Sequence, residues 1–271
     1  MKAFPAFGIL FGSPSRQHEL RVFLEKNSNL PGPRGNLELA HSFASSISAM
    51  HLAEWQWEFL LALAATSITK APVNSAKEFL PFCATLALGA LYGNGLPRPR
   101  RRAALAALTA AASDGRWRMR EAAAMGLQLV GERDIAAMKD IVTLWLADGG
   151  WLTLRAVAAG LAHPPILEDA EVARYAVETA AALVAALTRA DAKTRREENF
   201  KILRQGLGYS LSVFAAASPG EGFALLRKCA AVSDPDLAWV VKENLKKKRI
   251  SGAFPKECAE VASIAGEAAG R

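Results

Sequence analysis

The stretch DGRWRMREAAAMGL at residues 114–127 has a partial second copy, DGGWLTLRAVAAGL, at residues 148–161. Each copy places a tryptophan three residues after an aspartate and ends in Gly-Leu. An aspartate just before a helix accepts hydrogen bonds from the first N–H groups. We therefore predict two capped helices whose first turns carry a tryptophan. In the first helix Asp114 is the cap and Trp117 the tryptophan; in the second they are Asp148 and Trp151.

Both copies follow helical periodicity and are rich in small residues. Leu154, Ala158 and Leu161 fall on one apolar stripe of the second predicted helix. Small side chains let a neighbouring helix approach closely. The first copy has them at Ala122, Ala124 and Gly126, and the second at Ala156, Ala158 and Gly160.

A third beginning, SDPDLAWVVKENL at residues 233–245, keeps the Asp-x-x-Trp spacing with Asp236 and Trp239. Helical segments alternate with turn residues through the rest of the chain. We expect five helical pairs and a terminal helix between residues 36 and 249. The segments that complete the pairs are 36–48, 55–68, 75–92, 100–113, 133–148, 168–190, 194–217 and 220–232.

Helical pairs that recur every 34 to about 45 residues, the two copies being 34 residues apart, predict an α-solenoid. The starts SDGRWRMREAAAMGL and SDPDLAWVVKENL resemble HEAT repeats, whose first helix commonly opens Asp-Pro-x-x-hydrophobic-Arg. The resemblance rests on motifs over 114–249 and on helix pattern alone over 36–113. It implies an all-α, right-handed α-solenoid of about five to six HEAT-like hairpins. The expected organisation is an N-terminal segment and capping helix at 1–35, the solenoid at 36–250, and a C-terminal helix and tail at 251–271.

The composition favours a folded, basic protein. Hydrophobic residues make up 51% of the chain, and 33 Lys and Arg against 26 Asp and Glu give a net charge of +7, which suits an anionic partner. Three cysteines without C-x-x-C spacing argue against a disulfide framework and fit the cytoplasm. No apolar run reaches the roughly 18 residues of a membrane span. We expect a monomer that does not enter membranes.

Motifs of enzymes and cofactor sites are absent from the sequence. The four histidines lack metal-binding spacing, and GLGYS at 206–210 lies within a helical pattern, so we expect neither a metal nor a cofactor. More remotely, a basic chain of HEAT-like pairs resembles the alkylpurine DNA glycosylases built from such repeats. That resemblance implies duplex DNA on a concave positive face, DNA damage recognition and, if the protein is an enzyme, a glycosylase-like hydrolase. No motif identifies a catalytic residue.

Clustered cations are the candidate nucleic-acid contacts. Arginines at the start of the helix predicted near residue 100 oppose the helix dipole by roughly 0.3 to 1 kcal/mol each, so local stability does not explain them. With free backbone N–H groups they predict a phosphate site; the alternative is a solvated turn whose arginine stems cover alanines. We interpret KKKR at 246–249 as a helix end where cations favour the dipole. The candidates are Arg98, Arg100, Arg101, Arg102, Arg116, Arg118, Arg120, Arg155, Lys242 and Lys246.

The tryptophans of the three copies, Trp117, Trp151 and Trp239, allow two interpretations. Aromatic residues at helical spacing usually belong to a core, and we favour a buried ladder between repeats. If exposed beside Arg120, Arg155 and Lys242, the rings would instead stack on bases.

Two functions follow from these observations. The first is binding of nucleic acid, specifically duplex DNA, if the arginine clusters and the lysine run share a concave face. The second is a non-enzymatic scaffold for a protein partner, for which the groove would be apolar or mixed in charge.

Overall fold

The structure, a computed structural model, describes residues 7–269, with the side chains of Asp148 and Ala269 outside the description. The described chain is all-α, as predicted, and contains no strand. Its helices are α1 (Phe7–Phe11), α2 (Gln17–Lys26), α3 (Leu37–Ser48), α4 (Glu54–Ala64), α5 (Phe79–Gly93), α6 (Arg98–Ala112), α7 (Trp117–Gly131), α8 (Ile135–Asp148), α9 (Trp151–Leu161), α10 (Ala170–Thr188), α11 (Glu198–Ala217), α12 (Pro219–Ala230), α13 (Pro235–Leu245), α14 (Lys248–Ser251) and α15 (Pro255–Ala269).

The chain divides into two compact units between Val142 and Thr143. In the first unit, α5 lies between α3 and α7, while α4 and α6 pack against α5 and against each other. The helices α5 and α7 approach closely at Gly89 and Gly126, where a Cβ atom on Gly89 would overlap the backbone of Gly126. The prediction that Gly126 admits a neighbouring helix is confirmed.

In the second unit, α11 lies between α9 and α13, and α10 and α12 pack against α11. The predicted stripe of Leu154, Ala158 and Leu161 is buried. Gly208 of α11 faces Trp239 of α13, and a Cβ atom at this glycine would lie 2.8 Å from Trp239 Cζ3. The helix α11 therefore carries a small residue at the point where the Trp239 ring packs against it.

The predicted caps need correction. The N-cap residue of α7 is Arg116, and Asp114 Oδ1 accepts a hydrogen bond from the backbone N–H of Arg116 at 2.7 Å without capping the helix. In α13, Pro235 takes the first helical position and Asp234 is the cap, accepting from the N–H groups of Asp236 and Leu237. The third copy is therefore out of register with the first two, since Trp117 and Trp151 begin their helices and Trp239 does not. The predicted cap at Asp148 lies outside the described side chains.

Near the C-terminus, the structure also corrects the prediction for the cationic run. The cationic run at 246–249 lies at a helix end only in part: Lys246 is the C-cap residue of α13, whereas Lys248 and Arg249 belong to the short helix α14. The C-terminal segment contains α15, a helix of 15 residues that packs against α12 and α13. The predicted boundaries after residues 35 and 250 stay predictions.

Candidate nucleic-acid interface

Some arginines at the start of α6 are exposed, and others contact side chains or carbonyl groups elsewhere in the chain. Arg98 and Arg102 are exposed. Arg100 donates to the carbonyl oxygen of Leu52 at 2.9 Å and to Glu54 Oε2 at 2.6 Å, and its Cζ lies 5.3 Å from the ring centre of Trp57. This guanidinium therefore ties α6 to the start of α4.

Arg101 points to different partners. Its Cζ lies 4.8 Å from the ring centre of Tyr92, and its Nη2 lies 3.7 Å from Asp140 Oδ2. The hydrogen bond to Tyr92 raises the pKa of Arg101 above its ordinary value, against the effect of desolvation. Because Arg100 and Arg101 bind separate groups, the predicted convergence of Arg100, Arg101 and Arg102 on one phosphate is not present in this arrangement.

Arg116 is a buried residue with a structural role, and 2% of its surface is exposed. Its guanidinium donates to both carboxylate oxygens of Asp114 and to the carbonyl oxygens of Ala71 and Thr66, at 3.2 and 3.0 Å. Burial raises the pKa of Asp114, but the hydrogen bonds from Arg116 outweigh it and leave that pKa below its ordinary value. A buried guanidinium with these partners cannot reach a phosphate, which corrects the assignment of Arg116.

Arg118 is likewise unsuited to the predicted role, being 4% exposed. It donates to Glu78 Oε2 and to the carbonyl oxygen of Gly32. Arg120 donates to the carbonyl oxygens of Asp114 and Gly115, at 2.8 and 3.1 Å. Arg118 therefore joins the first turn of α7 to distant segments, and Arg120 joins α7 to the turn before it. A guanidinium can bind several groups at once because it has five donors in a planar fork.

The remaining candidates lie in the second unit. Arg155 is half-buried and takes part in an interaction within the chain. Lys242 is exposed. Lys246 forms an ion pair with Glu243, and this hydrogen bond lowers the pKa of Glu243 below its ordinary value.

The tryptophans do not form the buried ladder that we favoured. Trp117 is 45% exposed, and the Cζ of Arg118 lies 4.4 Å from its ring centre. Trp151 is half-buried with its ring edge-on to Phe200 at 5.4 Å between centres. Trp239 is half-buried under Arg204, whose Cζ lies 4.8 Å from the ring centre. Trp117 is the most exposed of the three.

The structure brings together three residues that were not among the candidate contacts predicted from the sequence: Tyr209, Lys247 and Arg249, here called the Tyr209 cluster. Tyr209 is 48% exposed on α11. Arg249 donates to its hydroxyl oxygen at 2.7 Å and lies 4.4 Å from its ring centre, and Lys247 Nζ lies 5.7 Å from that centre. The only sequence signal was the run KKKR, and its aromatic partner is 40 positions away.

A groove of about 520 Å³ in the second unit begins at this cluster. Tyr209, Val213 and Ala217 form one wall along α11, and the short 3-10 helix at Pro164–Glu168 contributes the other. Glu168 and Arg249 are the charged residues of a mainly apolar lining. The groove therefore combines apolar walls with an aromatic ring and cations at one end.

The first unit contains two further depressions. A cavity of about 380 Å³ lies beside the start of α6 and is lined by Trp57, Arg100 and His51, among others. A wider groove of about 660 Å³ lies between α4 and α6, floored by Ala103, Ala107 and other alanines of α6. Ile68, 47% exposed, stands at its edge.

The part of the chain that the structure describes offers neither a cluster of metal ligands nor a membrane-spanning helix. There, no three side chains of His, Cys, Asp or Glu are grouped so that they could hold a metal ion. Nor does any described helix combine the length and apolar character needed to cross a membrane.

Comparisons with known proteins assign no family to this arrangement: no family model matches the chain, and no curated protein matches its sequence.

Proposed function

We propose that the protein is a HEAT-like α-solenoid that binds the phosphate backbone of nucleic acid. Within each unit, alternate helices form a row, α3, α5 and α7 in the first and α9, α11 and α13 in the second. Rows of this kind are expected of stacked helical hairpins and support the proposed solenoid; its right-handed twist and its five to six hairpins are what the HEAT resemblance implies. X-ray scattering would test the solenoid, because a radius of gyration near 18 Å, about the value for a compact domain of this length, would contradict it.

The observation that carries the binding proposal is the Tyr209 cluster. Four consecutive cations, Lys246 to Arg249, follow α13, and two of them lie against an exposed aromatic ring. Lysine and arginine supply the phosphate contacts that dominate affinity for nucleic acid. Arg98, Arg102 and Lys242 remain candidate contacts because their side chains are exposed. Arg116 and Arg118 are left out of the proposal because they are buried.

The test is binding of a fluorescent 20-base-pair DNA duplex and of one of its strands, measured by anisotropy across a salt series. The variant is Lys247→Gln with Lys248→Gln. If both lysines contact phosphates, the slope of log affinity against log salt falls by about 1 to 2. The matched control is Lys193→Gln with Arg196→Gln, which removes two exposed cations from another surface of the same unit.

Each outcome bears on the proposal. A larger loss in the first variant than in the control supports phosphate binding at the cluster. If both variants lose the same affinity, only the net charge of the protein matters and the cluster is not a phosphate site. If the folded protein binds neither probe at low salt, the proposal of nucleic-acid binding is overturned. DNA damage recognition and glycosylase-like hydrolysis, which the family resemblance implies, stay proposals to be tested by base release from an alkylated duplex.

A second candidate function, a scaffold for a protein partner, is favoured by the groove between α4 and α6. Its alanine floor suits the apolar face of a helix from another protein. A photo-crosslinking residue at Ala106, which is exposed on α6, would identify the bound peptide. A synthetic copy of the crosslinked peptide should then bind the Ala106→Glu variant more weakly than the natural chain. It should bind the Ala238→Glu variant, which changes an exposed alanine on α13, as tightly as the natural chain. Equal affinity for both variants would exclude this groove.

A further inference from the structure

The groove beside Tyr209 has the size and chemistry of a site for a planar ring with an anionic substituent. Its volume of about 520 Å³ lies within the roughly 300 to 1,000 Å³ of small-ligand pockets. Tyr209, Val213 and Ala217 recur every four residues and so lie on one face of α11. This wall extends for two turns, about 12 Å. An apolar floor of this length accommodates flat rings without requiring particular hydrogen bonds.

The cations at one end of the groove indicate that the ligand carries an anionic group beside its ring. Lys247 and Arg249 lie against the Tyr209 ring, with Lys246 and Lys248 beside them in the chain. Cations next to an aromatic ring and an apolar groove complement a phosphate joined to a base. Nucleobases stack on tyrosine rings and on guanidinium planes, and here both kinds of surface line the same groove.

On this basis we infer that the groove from Tyr209 to Ala217 binds unstacked bases of single-stranded nucleic acid, with the adjoining phosphates on Lys247 and Arg249. The inference rests on the proposed function and narrows it. Bases of a duplex are stacked and paired inside the helix, so they cannot enter a groove of this kind. Glu168, on the opposite wall, provides carboxylate oxygens that accept hydrogen bonds from base N–H groups.

The experiment compares a fluorescent 12-nucleotide single strand, as DNA and as RNA, with a 20-base-pair duplex at one salt concentration. The variant Tyr209→Ala should weaken single-strand binding about tenfold, because base stacking on an aromatic side chain is worth about that much or more. Duplex binding should change less than twofold. Tyr209→Phe is the matched control, since it keeps the ring and loses only the hydroxyl that accepts from Arg249.

A second variant, Ala217→Trp, fills the far end of the groove from an exposed position and leaves the cations in place. It should also weaken single-strand binding selectively, so the inference does not depend on the folding of Tyr209→Ala. The ratio of DNA to RNA affinity decides which strand the groove accepts.

The two proposals fail in different ways. If single strand and duplex bind alike and neither variant separates them, phosphate binding stands and the base-binding groove is overturned. If Tyr209→Phe loses as much single-strand affinity as Tyr209→Ala, the hydroxyl contact is responsible and not stacking on the ring. That result also overturns the base-binding groove. If neither probe binds at low salt, both proposals fail.

Discussion

Asp236 in the second unit forms ion pairs with two arginines. Its carboxylate accepts from Arg195 Nη1 at 2.8 Å and from Arg204 Nη1 at 2.6 Å, in the first turn of α13. Arg195 also donates to Asp234 at 2.8 Å, and Arg204 covers the Trp239 ring. One buried aspartate therefore joins the start of α13 to α11 and to the turn before it.

Replacing Asp236 with asparagine should be costly, because two partly buried guanidinium groups lose their shared charge partner. We expect the free energy of unfolding to fall by about 2 to 4 kcal/mol for Asp236→Asn. Urea unfolding measures the difference. The control is Glu178→Gln, an exposed carboxyl on α10, which should change stability by less than about 0.5 kcal/mol. Equal effects in the two variants would contradict this role for Asp236.

The cysteines differ in reactivity because their burial differs. Burial raises the pKa of Cys83 well above its ordinary value and that of Cys229 to about 11. Cys258 is half-buried on α15, and its pKa is raised by burial and by Glu257. A thiol reagent at pH 8 should therefore modify one thiol per folded chain, and three after unfolding in urea. Cys258→Ser should remove the fast reaction; rapid modification of all three in folded protein would refute the assignment.

At the scale of helices, backbone contact between α5 and α7 depends on two glycines. A methyl group at position 89 would meet the carbonyl carbon and oxygen of Gly126, and neither helix backbone can yield locally. Large side chains elsewhere on α5 are buried on all sides, including Phe82 and Leu86. The crossing therefore fixes the spacing of the core of the first unit.

Gly89→Ala should lower stability although alanine favours helices more than glycine. We expect a loss of about 1 to 3 kcal/mol from overpacking. Gly266→Ala is the matched control, because Gly266 lies in α15 with open space around its Cβ position. That change should raise stability by up to about 1 kcal/mol. Thermal unfolding of both variants gives the comparison, and a gain in both would mean that the crossing tolerates a methyl group.

For the molecule as a whole, acid should weaken the fold through carboxylates held by arginine. Burial raises the pKa of Asp234, but the hydrogen bonds from Arg195 and from backbone N–H groups leave it below the ordinary value; Asp114 behaves similarly with Arg116. A lowered folded-state pKa means that stability is present above the unfolded-state pKa, near 4, and is lost as pH falls through the folded-state value.

We therefore expect Tm to fall by roughly 5 °C or more between pH 6 and pH 3. The difference in Tm between the natural chain and Asp234→Asn should narrow as pH falls, because the natural carboxylate also becomes neutral. Calorimetric scans at pH 6, 4.5 and 3 measure both quantities. A constant difference across this range would show that the charge of Asp234 does not stabilise the fold.

The sequence was enough to predict the helical class and the approximate extent of most helices, including α3 within the segment 36–48 and α7 after the Asp-Gly turn. These features depend on interactions within a few residues, namely caps, turns and the helical repeat of apolar side chains. The same local logic found Gly126 as a point of close approach.

The tertiary structure alone decided which charged and aromatic side chains are accessible. Arg116 was a candidate phosphate ligand in the sequence, but its partners Thr66 and Ala71 lie 50 and 45 positions away and bury it. Tyr209 and Arg249, 40 positions apart, meet at the surface. A long flexible cation can bind any carbonyl or carboxylate within its reach, and distant parts of the chain become neighbours only when the helices pack.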